Sequence, residues 1–317
     1  MGGQRKANEI YINRVYNAPV SLVWEAWTDP KQAAKWWGPR GFTLTTHSKE
    51  LKPGGKWIYT MHGPDGTDYP NIATYHEVEK HALLVYDHGA TPTTPPLFRV
   101  TVRFSEKNKK TTMEMTMTLA SAEAAEEIKK FIKQAGGNST WDRLGEYLAE
   151  KDGLDHFIIN RTFEAPVDVV YEMWTNPKHI AKWMPPTGAT MEFISADIRP
   201  GGKSFYRMDG PFGRLHGCAQ YHEFERPHRI TYSQQFCDEN QKVCRHPMAP
   251  TWPESMRTTV EFTPEGDNLT RVTVTWVVEG AAGSEERETF HKGKAGMTQG
   301  WTGSFDKLEE LLGGLSS

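Results

Sequence analysis

Cysteine is scarce in this chain: three in 317 residues, Cys218, Cys237 and Cys244, all in the second half. An odd count with no secretory apolar segment at the N-terminus argues against a disulfide framework; reduced thiols and a cytoplasmic location are expected. The Asn-x-Ser/Thr matches at Asn138 and Asn268 therefore carry little weight. No run of eighteen apolar residues occurs, which excludes an ordinary helical membrane protein. Charge of one sign is also missing, the net charge being −3. Residues 1–150 carry 19 basic and 17 acidic side chains, and the remainder 18 and 23, so neither half has the field that nucleic-acid binding uses. Gly-x-Ser-x-Gly, His-Glu-x-x-His, the P-loop and the dinucleotide fingerprint are all absent. No catalytic residue, cofactor or metal is expected from motifs.

What is abundant is tryptophan, 11 residues, and what organises it is a repeat. Ile12-Asn13-Arg14 recurs as Ile159-Asn160-Arg161, Ala18-Pro19-Val20 as Ala165-Pro166-Val167, and Trp27-Thr28 as Trp174-Thr175. Ala34-Lys35-Trp36 recurs as Ala181-Lys182-Trp183, and Pro53-Gly54-Gly55-Lys56 as Pro200-Gly201-Gly202-Lys203. Every pair is 147 residues apart, and residues 12–56 match their partners at 23 of 45 positions. Length alone suggests two domains; the offset makes them copies of one domain, 1–152 and 153–317. Thr101-Val102-x-Phe104 meets Thr259-Val260-x-Phe262 at an offset of 158, so copy two carries about 12 extra residues, placed near 236–253.

Each copy reads as a strand, two short helices, a series of strands and a longer final helix. Residues 9–16 alternate as a strand. Ser21 or Asp168, just after Ala-Pro, is the expected cap of the first helix. Asp29-Pro30 and Asn176-Pro177 end that helix. Turn signals at 53–55, 63–66 and 106–110 separate the strands. Met297, Trp301, Phe305, Leu308 and Leu312 form the apolar stripe of the last helix in copy two. Copy one offers Trp141, Leu144 and Leu148 after a Gly136-Gly137 break, with Gly137 set opposite Trp301. Such a sheet buries one face under the final helix, giving an α+β domain.

These residues resemble the START-like (SRPBCC) helix-grip superfamily, and more narrowly the homologues of the activator of the 90-kDa heat-shock protein ATPase. The resemblance rests on Ala-Pro-Val, Trp-Thr-(Asp/Asn)-Pro, Lys-Trp, Pro-Gly-Gly, Gly-Pro-x-Gly at 63–66 and 210–213, and Gly300-Trp301 with Leu308. It implies a curved antiparallel sheet gripping a long helix, with an apolar cavity between them. It also implies possible partner roles with a chaperone or through self-association, and some START-like relatives are cyclases or hydrolases. True activators use a further N-terminal domain, and nothing of that size precedes residue 9, which ranks chaperone stimulation lower.

The expected function is non-catalytic binding of a small apolar or aromatic molecule. Candidate cavity residues are Trp57, Tyr59 and Met61 on one strand face, and Tyr206 and Met208 at the matching places. Trp37 follows the second helix, Trp252 lies in the Pro-rich insertion, and Trp301 lies on the final helix. Copy one is expected to be the more favoured for ligand contact. His76 and Glu77, being adjacent on a strand, point to opposite faces and form no dyad. His216, Cys218, Gln220 and His222 alternate on one strand face, but no two cysteines stand two to four residues apart, so no zinc site is expected.

Overall fold

Alternating burial along Glu9–Tyr16, with Ile10, Ile12, Arg14 and Tyr16 inward, produces the first strand, β1. The computed structural model describes residues 6–91, 93–134 and 139–314. The chain divides into two units, Met1–Gly153 and Leu154–Ser317.

In unit one β1 is followed by α1 (Val20–Thr28), α2 (Pro30–Trp36), β2 (Thr43–Lys49), β3 (Lys56–His62), β4 (Asp68–Glu79), β5 (Leu83–Gly89), β6 (Phe98–Lys107), β7 (Lys110–Leu119), α3 (Ala122–Gln134) and α4 (Ser139–Lys151). All seven strands are antiparallel, in the order β1-β7-β6-β5-β4-β3-β2. Unit two runs β8 (His156–Phe163), α5 (Val167–Thr175), α6 (Pro177–Trp183), β9 (Thr190–Ala196), β10 (Lys203–Gly210), β11 (Gly213–Glu225), β12 (Arg229–Cys237), β13 (Ser255–Gly266), β14 (Leu269–Glu279) and α7 (Ser284–Gly313). Its order, β8-β14-β13-β12-β11-β10-β9, repeats that of unit one. Each sheet packs one face on its terminal helix, so the α+β architecture is two tandem helix-grip domains.

Local chemistry explains the shared motifs. The N-cap of α1 is Pro19, without a side-chain cap, and Ser21 lies inside the helix. Asp168 likewise lies in the first turn of α5, behind Pro166. The caps sit one helix later. Asp29 accepts from the backbone N–H of Lys31 and Gln32 at 2.8 and 2.9 Å, and Asn176 from that of Lys178 at 3.0 Å. An Asx residue before a proline at N1 satisfies donors that a helix start leaves free. The Pro-Gly-Gly motif is steric. A Cβ on Gly55 would stand 2.2 Å from the Glu50 carbonyl oxygen, and one on Gly202 would stand 2.1 Å from that of Asp197.

The final helices differ. α7 is continuous over 30 residues, whereas unit one divides the same stretch between α3 and α4. Gly136 and Gly137 lie outside the described residues. The counterpart of Trp301 is Trp141 rather than Gly137: both lie on the final helix 160 residues apart, with Leu148 and Leu308 each seven residues further on.

Candidate functional site

Among the described residues of unit one, a packed aromatic cluster lies where a cavity is expected. Trp57 and Tyr59 do point inward from β3, but each is only 2% exposed. Trp37 meets Trp57 with ring centroids 4.9 Å apart, and Trp57 meets Tyr59 at 4.2 Å. Trp27 stacks on Trp141 at 5.4 Å, and Trp36 leans on Trp37 at 5.1 Å. Met61 packs against the edge of this cluster. The indole of Trp57 is fully engaged: its Nε1 donates to Thr46 Oγ1 at 3.1 Å, and Lys49 Nζ sits 3.8 Å above its ring. Expectation and structure part here, because Trp37, Trp57, Tyr59 and Met61 fill the space between sheet and helix instead of framing it. Trp36 and Trp183, shared by the copies, serve the fold in the same way. Each is wholly buried and donates to a backbone carbonyl ten residues back, Ala26 or Met173.

Unit two is hollow. A cavity of about 510 Å³ lies between the sheet and α7, and Tyr206, Met208, Trp252 and Trp301 all line it. Two positions differ between the halves here. At the 147-residue offset Met184 stands where unit one has Trp37, and Ser204 where it has Trp57. Ser204 is buried and donates to the Tyr221 hydroxyl at 3.2 Å, so this position brings no indole into unit two. The helix contributes the other half. Gly296 and Gly300 face the cavity, and a Cβ on either would meet nothing within 4 Å.

The insertion borders one side of the space. Residues 238–254 form an irregular strap between β12 and β13, and His246, Ala249, Trp252 and Pro253 reach the cavity from it. Trp252 packs on Phe290 of α7 at 5.9 Å and lies flush on Gly293, where a Cβ would come within 2.8 Å of its ring. Arg245 ties the strap down, donating to Glu286 of α7 and to the Trp252 carbonyl at 2.9 Å. The hydroxyls of Thr251 and Thr289 meet at 2.8 Å. On the far side, Ser304 donates to the Met184 carbonyl at 2.7 Å and Lys307 to that of Pro185, which fixes the segment after α6 against α7.

The cavity wall is close to neutral. No lysine or arginine is among its lining residues, and its one carboxylate, Glu254, is exposed. Burial pushes the hydroxyls of Tyr206 and Tyr232 well above the ordinary phenol range, and it lowers His246 towards the uncharged form. His246 is engaged by the Phe236 ring at 4.7 Å and the Met248 N–H at 3.1 Å.

Other polar groups lie on the outer faces. His76 does not pair with Glu77; it meets Asp87 at 2.7 Å, and Arg99 holds the Asp87 carboxyl below its usual range. In unit two the Cys218 and Cys237 sulfurs approach to 2.7 Å on the face opposite the cavity, and His216 stacks on Phe205. All three cysteines are free, and among the described residues no group of three or more His, Cys, Asp or Glu is arranged to hold a metal. Among them, too, no helix is long and apolar enough to cross a membrane.

Comparison with known proteins agrees with this architecture. Residues 17–149 and 164–313 each match the family described as Activator of Hsp90 ATPase homolog 1-like protein. No curated protein matches the chain. Among solved structures, a protein of Arthrobacter aurescens is 28% identical over 45% of this chain and 87% of its own, with a TM-score of 0.42. One from Nitrosomonas europaea is 20% identical over 47% of this chain and 99% of its own, at 0.43. The di-domain ARO/CYC BexL of the BE-7585A biosynthetic pathway is 12% identical over 96% of this chain and 98% of its own, at 0.37. With both halves matched by one family model, the chain belongs to the Activator of Hsp90 ATPase homolog 1-like family and carries its domain twice.

Proposed function

We propose that unit two is a non-catalytic binding domain for a neutral, largely apolar small molecule, and that unit one is its solid companion. The observation that carries this is the cavity of about 510 Å³, which falls in the range of small-molecule sites. It is apolar, bordered by a strap, and faced by helix positions that carry no side chain. A glycine in a helix interior costs stability relative to alanine, so Gly296 and Gly300 beside an open space support a role that needs the space. The wall lacks an acid–base pair held over the cavity, since His246 is engaged elsewhere and Glu254 is exposed, which favours binding over turnover. The three free thiols fit a reducing, cytoplasmic setting.

The neutral dye Nile red tests the reading. Its emission should rise on titration with the intact chain, and Gly296→Phe, which places a ring in the open space, should weaken binding by roughly tenfold or more. The variant should keep the circular dichroism and melting behaviour of the parent. Equal dye binding by Gly296→Phe, or no binding by the parent, would overturn the proposal.

A further inference from the structure

We infer that Cys218 and Cys237 are a thiol pair that peroxide converts to a disulfide, fastening the root of the strap to the sheet. The pair lies on the outer face of unit two and is independent of what the cavity holds.

Antiparallel pairing brings the two side chains together. Across β11 and β12, His216 stands opposite Cys237 and Cys218 opposite Gln235, so the cysteines are diagonal neighbours on one face. Their sulfurs are 2.7 Å apart. Non-bonded carbon atoms, which are smaller than sulfur, settle about 3.5–4.0 Å apart, whereas a disulfide bond is about 2.05 Å long. The two thiols thus stand nearer to bonding distance than to ordinary contact, and closing the bond asks little movement of either strand.

Their surroundings divide the roles. Cys218 is partly exposed, while Cys237 is buried at 3% exposure. Burial, with the Cys218 sulfur alongside, pushes the Cys237 thiol far up, so it is not the group that meets an oxidant first. The Cys218 thiolate attacks one oxygen of the peroxide, the O–O bond breaks, and a sulfenic acid forms as hydroxide leaves to take up the thiol proton as water. The Cys237 sulfur then attacks the sulfenic sulfur, the S–O bond breaks, and the Cys237 proton departs with the hydroxyl as a second water. Two thiols are oxidised to one disulfide, and one hydrogen peroxide is reduced to two waters. Cys244, exposed on the return beyond the Cys237–Val243 bridge, is the internal control.

The place of the bond gives it an effect. β12 ends at Cys237, and the strap begins at the next residue. A link from Cys237 to Cys218 therefore ties the root of the strap to β11 as well as to its own strand. Unit one has Ile72 and Thr91 in these places, at the 146-residue offset that aligns Tyr75 with Tyr221 and Tyr86 with Tyr232. The pair belongs to the half that carries the strap.

Hydrogen peroxide added to the reduced, intact chain makes the test. Thiols counted in denaturant should fall from three to one, the mass should drop by two hydrogens, and peptide mapping should join Cys218 to Cys237. Dithiothreitol should restore all three thiols. Oxidation should also raise the melting temperature of unit two by several degrees, because a cross-link restricts the unfolded chain. Cys244→Ser should form the bond unchanged. Cys237→Ser should instead leave a sulfenic acid on Cys218 that dimedone traps, and the map of the parent chain stands whether or not that variant folds. Three thiols persisting, a link that uses Cys244, or sulfinic acid at Cys218 in place of a link would overturn the inference. A link with an unchanged or lower melting temperature would overturn the fastening of the strap root.

Discussion

At the scale of single residues, the two halves part company at Trp37 and Trp57 against Met184 and Ser204. A buried indole contributes a large apolar area and many close contacts, and its loss without collapse leaves a void. Unit one keeps both rings and adds Lys49, whose ammonium lies over Trp57 and donates to the Trp27 carbonyl at 3.1 Å. Burial pulls the Lys49 ammonium down to a pKa of about 7, with Asp29 opposing. In the unfolded chain the same group holds its proton up to about 10.5. Between those values the unfolded state binds the extra proton, so stability rises with pH there; below about 7 the cost of burying the charge is present in full. The melting temperature of unit one should therefore climb from pH 7 to pH 9.5, in the window the shift defines. Lys49→Met should flatten that climb, as thermal denaturation at several pH values would show. An unchanged slope in the variant would mean that Lys49 is not the titrating group.

At the scale of elements, α7 is the part most shaped by the cavity. A helix interior with Gly293, Gly296 and Gly300 gives up intrinsic stability. Thr140 holds the place of Gly300 in unit one, buried on α4. Because a Cβ on Gly300 meets nothing within 4 Å, Gly300→Ala should stabilise unit two by roughly 1 kcal/mol. Chemical denaturation would measure this, and a destabilised variant would show the helix to be packed at that point. The strands and short helices were legible in the sequence because their motifs answer local demands: Asx before proline caps a helix, and Pro-Gly-Gly passes a carbonyl too close for a side chain. Whether a strand face borders a filled or a hollow interior was not legible there. Tyr59 and Tyr206 occupy the same register, and their neighbours differ, Trp37 and Trp57 in one half and Met184 and Ser204 in the other. The glycines at three- and four-residue steps on α7 were the available sign of a bare helix face. Trp174 reads as structural in the sequence because both copies share it, yet it lines unit two's cavity. Trp276, which also lines it, has no comparable signal in sequence, since a cavity wall is assembled from distant elements.

At the scale of the whole molecule, one fold is used twice with opposite interiors. Each half has its own apolar core, so two unfolding transitions are expected in calorimetry. A cavity ligand should raise only the transition belonging to residues 154–317, by about 2.7 kcal/mol at a free concentration one hundred times Kd. A shift of both transitions would show that the halves unfold as one or that both bind. The strap over residues 238–254 has a further consequence, for time rather than affinity. A molecule in the cavity sits beneath Trp252, and the strap is held to α7 through Arg245, Glu286, Thr251 and Thr289. A molecule leaving past Trp252 does so only when the strap lifts, a motion of loops that has its own rate whatever lies below. Where that opening is the slow step, molecules of quite different affinity leave at similar rates, and their affinities differ through how quickly they are captured.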